Sequence, residues 1–212
     1  MPSKMRHVLM VAGLAMGLAA TSAQAGSHGG GKKMKPELIS GAPGALLAAQ
    51  CAGCHGPSGN SVGPAIPTIA GQNKDVLVGM MKEYASGEYP STIMGRIAKG
   101  YDEKDLEAIA EYFSRQKFVP AKQEFDAAAA KEGAKLAEKY CEKCHEDGGK
   151  KVDEDIARLA GQWLPYLQFT MADFMSGKRE MPKKMKTRVE KLVKSKGDKG
   201  LNAVLNFYAS QQ

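Results

Sequence analysis

Cys51-Ala-Gly-Cys54-His55 recurs ninety residues later as Cys141-Glu-Lys-Cys144-His145. Two more blocks keep that register. Ala70-Gly71-Gln72 returns as Ala160-Gly161-Gln162, and Met81-Lys-Glu-Tyr84-Ala-Ser86-Gly87 returns as Met171-Ala-Asp-Phe174-Met-Ser176-Gly177. Toward the two ends, 106–113 matches 201–208 at an offset of 95. Three blocks in one register mark a duplicated domain; two copies fall short of the three or more a solenoid needs.

Each copy reads as helices. Residues 44–52 lead into the first cysteine pair. Residues 74–86 place Val76, Leu77, Met80, Met81 and Tyr84 on one helical face. Residues 102–116 open at an Asp102 cap and carry Leu106, Ile109, Ala110 and Phe113 as a stripe. In the second copy 126–143, 163–176 and 198–210 repeat the plan, with Asp126 and Asp198 as caps. No stretch alternates like a strand. The pattern predicts an all-α chain of two tandem domains, 43–118 and 126–212, joined by the polar, proline-containing 119–125. Helical units under 100 residues make thin cores, so something besides side chains should fill each middle.

The cysteine pairs supply it. C-x-x-C-H is the attachment signature of c-type haem. Its two thiols add to the porphyrin vinyl groups, and the following histidine ligates the iron. The motif assigns Cys51, Cys54, Cys141 and Cys144 to attachment, His55 and His145 to iron, and two covalent haem c groups to the chain. Past residue 25 the only other histidine is His28. Four cysteines could instead build a zinc site or two disulfides. Zinc would draw both pairs into one site, whereas the repeat gives each half its own. Thioredoxin-type chemistry needs a βαβ setting, which a helical pattern lacks.

A methionine thioether opposite histidine closes the iron and raises its potential, as electron carriers need; an open iron belongs to peroxidase or gas chemistry. Met94, in the loop after Gly87, suits this in the first half. Met80 and Met81 lie on a helical stripe and read as packing. Ninety residues past Met94 stands Lys184, with Met185 one residue away and Met181 three away. The smaller insertion favours Met185, and the proline after Met181 keeps that residue open. The Gly63-Pro64 loop is placed to offer His55 a carbonyl for its second ring nitrogen. Residues 146–155 hold no such proline, so the two irons should be tuned differently. Trp163, Tyr84, Tyr101 and Tyr166 read as core packing or as contacts to the porphyrin.

The chain's 212 residues are 43% apolar and 25% charged, a globular balance. Lys4 and Arg6, an apolar run over 8–20 and Ala23-Gln24-Ala25 form a leader cleaved after Ala25, which sends the mature chain to the periplasm. That run is shorter than the roughly 20 residues of a membrane span. Residues 26–42 follow as a flexible Gly/Lys-rich segment. Export argues against a cytosolic role, a thiol sensor and nucleic-acid binding, despite a net charge of +7. Ten basic residues crowd 178–199 against three acidic ones. A basic rim of this kind steers acidic redox partners, although a solvated helix face would look the same.

The string 51–72, CAGCHGPSGNSVGPAIPTIAGQ, resembles soluble two-haem cytochromes of the c-four class. IMGRIAKGYDEKDLEAIAEYFSRQ, KYCEKCHEDGGK, AGQWLPYLQ and the tail NFYASQQ are similar to the cytochrome subunits of flavocytochrome c sulfide dehydrogenases. The resemblance covers nearly all of 43–212. It implies Met94 as the first distal ligand and leaves Met185 and Met181 open in the second half. It also implies a flavoprotein partner that oxidises sulfide at FAD, and a small cytochrome or other external acceptor. The chain has no G-x-G-x-x-G, so FAD would sit on the partner. A free two-haem carrier to a terminal oxidase is the second expectation. A peroxidase-like enzyme and a colourless disulfide protein rank below it.

Overall fold

Side-chain caps at Asn73, Asp102 and Asp126 start three of the longer helices. In the computed structural model, which describes residues 43–212, the first half holds α1 (Gly44–Ala49), α2 (Ala52–His55), α3 (Lys74–Ser86), α4 (Met94–Ala98) and α5 (Glu103–Ser114). The second holds α6 (Ala127–Tyr140), α7 (Glu146–Gly149), α8 (Leu164–Met175) and α9 (Lys183–Ala209). The leader 1–25, the segment 26–42 and His28 lie outside the described residues. Among the described residues there is no strand, only an isolated bridge between Asp153 and Ile156.

Asn73 accepts from the backbone of Asp75 and Val76, and Gly87 closes α3 in a left-handed turn. Asp102 accepts from Asp105 N at 2.9 Å, and Asp126 from Ala128 N and Ala129 N, also at 2.9 Å. These two caps stand where the sequence puts them. Asp198 does not act as one. The last helix starts at Lys183, kinks at Gly197 (φ 64°) and runs on, and Asp198 makes no capping bond. Met185, Val189, Leu192 and Val193 give that extra arm an apolar stripe at helical spacing, which its many lysines obscure in the sequence. The helix expected over 44–52 also ends early, at Ala49, and a turn at Cys51 leads into α2.

In each half the first and last helices cross, α1 on α5 and α6 on α9. A Cβ on Gly44 would land on the Ala108 carbonyl oxygen, and one on Gly133 on that of Ala203. Phe113 and Tyr208 occupy matching places beyond these crossings. Gly59 lies beside Phe113 and Gly149 beside Tyr208, both glycines at φ near 80°, and any side chain would meet the aromatic ring. The backbone of Gly71 donates to Phe113 O (2.9 Å) and that of Gly161 to Tyr208 O (2.8 Å). The cores differ in size. Leu47, Ala48, Ile109 and Phe113 form the buried cluster of the first half, against ten buried residues around Leu192, Val204 and Tyr208 in the second.

The halves meet through a reciprocal clamp. Gln162 is 2% exposed; it donates to Thr68 O (2.7 Å) and accepts from Thr68 N (3.0 Å). Gln72, ninety residues earlier, donates to Arg158 O (3.3 Å) and accepts from Arg158 N (2.9 Å). Thr68 and Arg158 are themselves ninety residues apart, so the junction has approximate two-fold symmetry. Tyr89 and Arg179, a third pair in that register, stack on each other with the guanidinium 3.7 Å from the ring centre. The Trp163 indole donates to Ser61 O (3.2 Å), which makes this residue a cross-junction contact as well as a packing one.

Tyr84 lies at the same junction. Burial first, then the neighbouring Tyr166, push its phenol up from 10.0 to about 12, against the pull of Arg179. The fold therefore favours the neutral phenol. That contribution is complete below pH 10 and is lost as pH rises towards 12, an expected change of about 2–3 kcal/mol. Unfolding free energies of the haem-loaded chain at pH 9 and pH 11.5 should diverge from those of Tyr84→Phe by that amount. Parallel pH slopes for the two proteins would contradict this account.

Candidate functional site

One tight turn carries each cysteine pair. In the first half Cys54 N and His55 N both donate to Cys51 O, at 3.2 and 2.9 Å. In the second Cys144 N and His145 N donate to Cys141 O, at 3.1 and 3.0 Å. The turn brings two thiols and an imidazole onto one short stretch. None of the four cysteines is in a disulfide; Cys51 and Cys141 are half-buried, Cys54 and Cys144 exposed. No group of three or more His, Cys, Asp or Glu among the described residues is placed to hold a bare metal ion. Each pair stands with its own half, which removes the shared zinc site.

His55 is 8% exposed, and its Nδ1 donates to Pro67 O at 2.9 Å. The carbonyl comes from Pro67 and not from the Gly63-Pro64 loop expected from sequence. Pro64 instead accepts from Tyr166 N across the junction, at 3.1 Å. Burial lowers the His55 pKa, partly offset by the Pro67 bond, so the ring is neutral and keeps a lone pair on Nε2 for a metal. His145 differs. Its Nδ1 is buried without a hydrogen-bond partner, and Ala157 stands ninety residues after Pro67. Burial again lowers its pKa, with Glu142 pulling the other way. A ring that donates to a carbonyl is the more basic one, so His55 would be the stronger metal donor of the two.

Met94 is the first residue of α4, not part of a loop, and is half-buried. Met185 is the third residue of α9, and Met181 lies just before that helix. Both are half-buried against the second core. Tyr101 hydrogen-bonds Gln50 (3.2 Å) beside the first cysteine pair. Sequence reasoning missed Pro67, Gln72 and Gln162 as positioning residues, although the repeated Ala-Gly-Gln was in plain view.

The side chains near the first cysteine turn suit a porphyrin. The apolar positions of α3, Val76, Leu77, Met80 and Met81, are all half-buried, and the helix fully buries none of its thirteen residues. A large apolar disc held by the Cys51–Cys54 turn would cover such a face. The unpartnered His145 Nδ1 and the neutral His55 match the donor set of a covalent haem.

Residues 42–117 match the family described as cytochrome c, and 128–193 the one described as cytochrome c oxidase, cbb3-type, subunit III. Cytochrome c4 of Azotobacter vinelandii is 32% identical over 148 residues, which span 62% of this chain and 70% of that protein. The chain belongs to the cytochrome c4 family. Its two domains are cytochrome c domains, each cysteine pair carries a covalent haem c, and the protein is a two-haem electron carrier. The reduced cytochrome c4 of Pseudomonas stutzeri superposes with a TM-score of 0.66 at 28% identity, covering 80% of this chain and 97% of that one. A second relative, named cytochrome subunit of sulfide dehydrogenase, from Chlorobaculum tepidum, is 43% identical over 70 residues. That match spans 33% of this chain and 63% of the relative. No helix among the described residues is long and apolar enough to cross a membrane.

Proposed function

We propose that this member of the cytochrome c4 family is the haem subunit of a periplasmic sulfide-oxidising flavocytochrome. The chain accepts electrons from FAD on a flavoprotein partner and hands them to a small external cytochrome or similar acceptor. The 43% identity to a sulfide dehydrogenase cytochrome subunit carries this reading. The surface agrees with it. Leu46, Val62, Ile93, Ile97 and Val119, all in the first half or the linker after it, are exposed large apolar residues, Val62 to 86%. Ile93 and Ile97 flank Met94. A permanent subunit interface covers apolar surface of this kind.

Bound haem c supplies a one-electron iron couple. The chain's residues hold and seal it. Cys51, Cys54, Cys141 and Cys144 anchor it. His55 with Met94, and His145 with Met185, ligate the two irons, within domains 43–118 and 126–212. The His55 ring would keep its Nδ1 proton on Pro67 O in both iron states, and a thioether has no proton to lose, so electron passage needs no proton transfer at these atoms. Replacing Met94 or Met185 by alanine should each remove half of the near-infrared iron–sulfur charge-transfer band, and Met181→Ala should leave it intact. If Met181→Ala removes half and Met185→Ala none, Met181 is the second ligand.

Purification of the native complex tests the function. A flavoprotein should co-elute with the two-haem chain, and sulfide should bleach the flavin and reduce the c-type bands. A flavin-free monomer indifferent to sulfide would overturn the proposal. That result would leave the second reading, a free carrier to a terminal oxidase, favoured by the longer, two-domain match to cytochrome c4.

A further inference from the structure

The two halves differ most between the end of α3 or α8 and the last helix. The first half spans this interval with the five residues of α4. The second builds the 183–196 arm of α9, ahead of the kink at Gly197. This arm is amphipathic. Val189 and Leu192 are buried and Met185 and Val193 half-buried, so its apolar stripe is used up on the domain's own core. Lys183, Lys184, Lys186, Arg188, Lys191, Lys194 and Lys196 are all exposed, with Glu190 the one acidic residue among them. Only Lys196 has an ion-pair partner among the described residues, Glu132 at 3.8 Å.

The charge is local. Residues 178–199 carry ten basic and three acidic residues, a net +7, whereas the rest of 121–212 carries eight and eleven, a net −3. The interval 87–102 of the first half has only Arg96 and Lys99 against Glu88 and Asp102. The second copy therefore has a cationic surface that the first lacks, on the helix whose inner side presents Met185.

We infer that the outer face of 183–196 is the docking surface for an acidic electron-transfer protein, the external acceptor of this chain. Each encounter passes one electron; the chain is oxidised, the acceptor reduced, and no proton moves. Dense like charge with no exposed apolar residue suits a fast, short-lived encounter, since such fields speed association more than they tighten it. A lipid surface is disfavoured, because an interfacial helix needs an outward apolar face. None of the exposed large apolar residues falls in 178–199. The inference takes from the proposed function only that an external acceptor exists.

The test uses the full haem-loaded chain in three forms. They are the wild type, K184E/K186E/K191E/K194E, and the control K104E/K117E/K122E/K131E, which changes net charge equally. Binding to poly-L-glutamate and oxidation of the reduced chain by ferricyanide are followed from low to high salt. The arm variant should lose about 10-fold in both at low salt, with the difference vanishing at high salt. The control should stay within about 2-fold of wild type on the same scale. Equal losses in the two variants would reduce the effect to net charge and overturn the assignment. Vesicles of anionic phospholipid supply the other arm. If the arm variant loses vesicle binding but keeps polyglutamate binding, the surface is a lipid site and the proposal fails. Co-purification with the flavoprotein is scored separately. It should survive the arm substitutions, so failure here and failure of the sulfide reading are distinguishable.

Discussion

Replacing Cys51 and Cys54 together by serine should cut the haem content from two per chain to one and melt the first half with it. Replacing Cys141 and Cys144 should remove the other haem yet leave most of the second half helical. Both pairs lie in the same turn geometry, so attachment is lost equally. The consequences differ because the cores differ. The first half has four residues in its buried cluster, and α3 fully buries nothing. The second half packs ten buried residues across α6, α8 and α9. Haem absorbance per chain and far-ultraviolet circular dichroism check both claims. Equal helix loss in the two variants would show that side-chain packing does not distinguish the halves.

The second large effect comes from one methyl group. Alanine is normally the better helix former, by roughly 0.5–1 kcal/mol over glycine. At Gly133 the sign should reverse. Its Cβ would occupy the position of the Ala203 carbonyl oxygen and lie 3.0 Å from Phe207 Cβ. Backbone cannot rotate away as a side chain can, so α6 and α9 must separate. Gly133→Ala should destabilise the haem-loaded chain by about 3 kcal/mol, read from chemical denaturation. Gly44→Ala should repeat the effect in the first half, where the obstacle is the Ala108 carbonyl. A neutral or stabilising result at Gly133 would mean that the crossing is looser than the structure places it.

Repeats and caps were the legible part of this fold. The 90-residue register separated two halves, and Asp102 and Asp126 marked helix starts because a short carboxylate beside free backbone N–H groups acts locally. Long-range partners were not legible. The choice between Pro64 and Pro67 as the carbonyl for His55 depends on how the loop turns back. A proline in sequence marks the loop without saying which oxygen faces the ring. The 183–196 arm was hidden for another reason. Charge dominates its composition, and its four apolar residues are visible as a stripe only once the helix is assumed. Gln72 and Gln162 repeated in plain sight, yet a glutamine whose partners are backbone atoms of the opposite half leaves no complementary residue to find.

That glutamine exchange has a consequence for ancestry. A surface that grips its own copy through main-chain atoms is what a symmetric homodimer would have used before its two genes were fused. Recognition of peptide groups does not constrain the residue that bears them, and the gripped positions hold threonine in one copy and arginine in the other. A backbone-read seam leaves each copy free to carry its own chemistry while the pairing is kept.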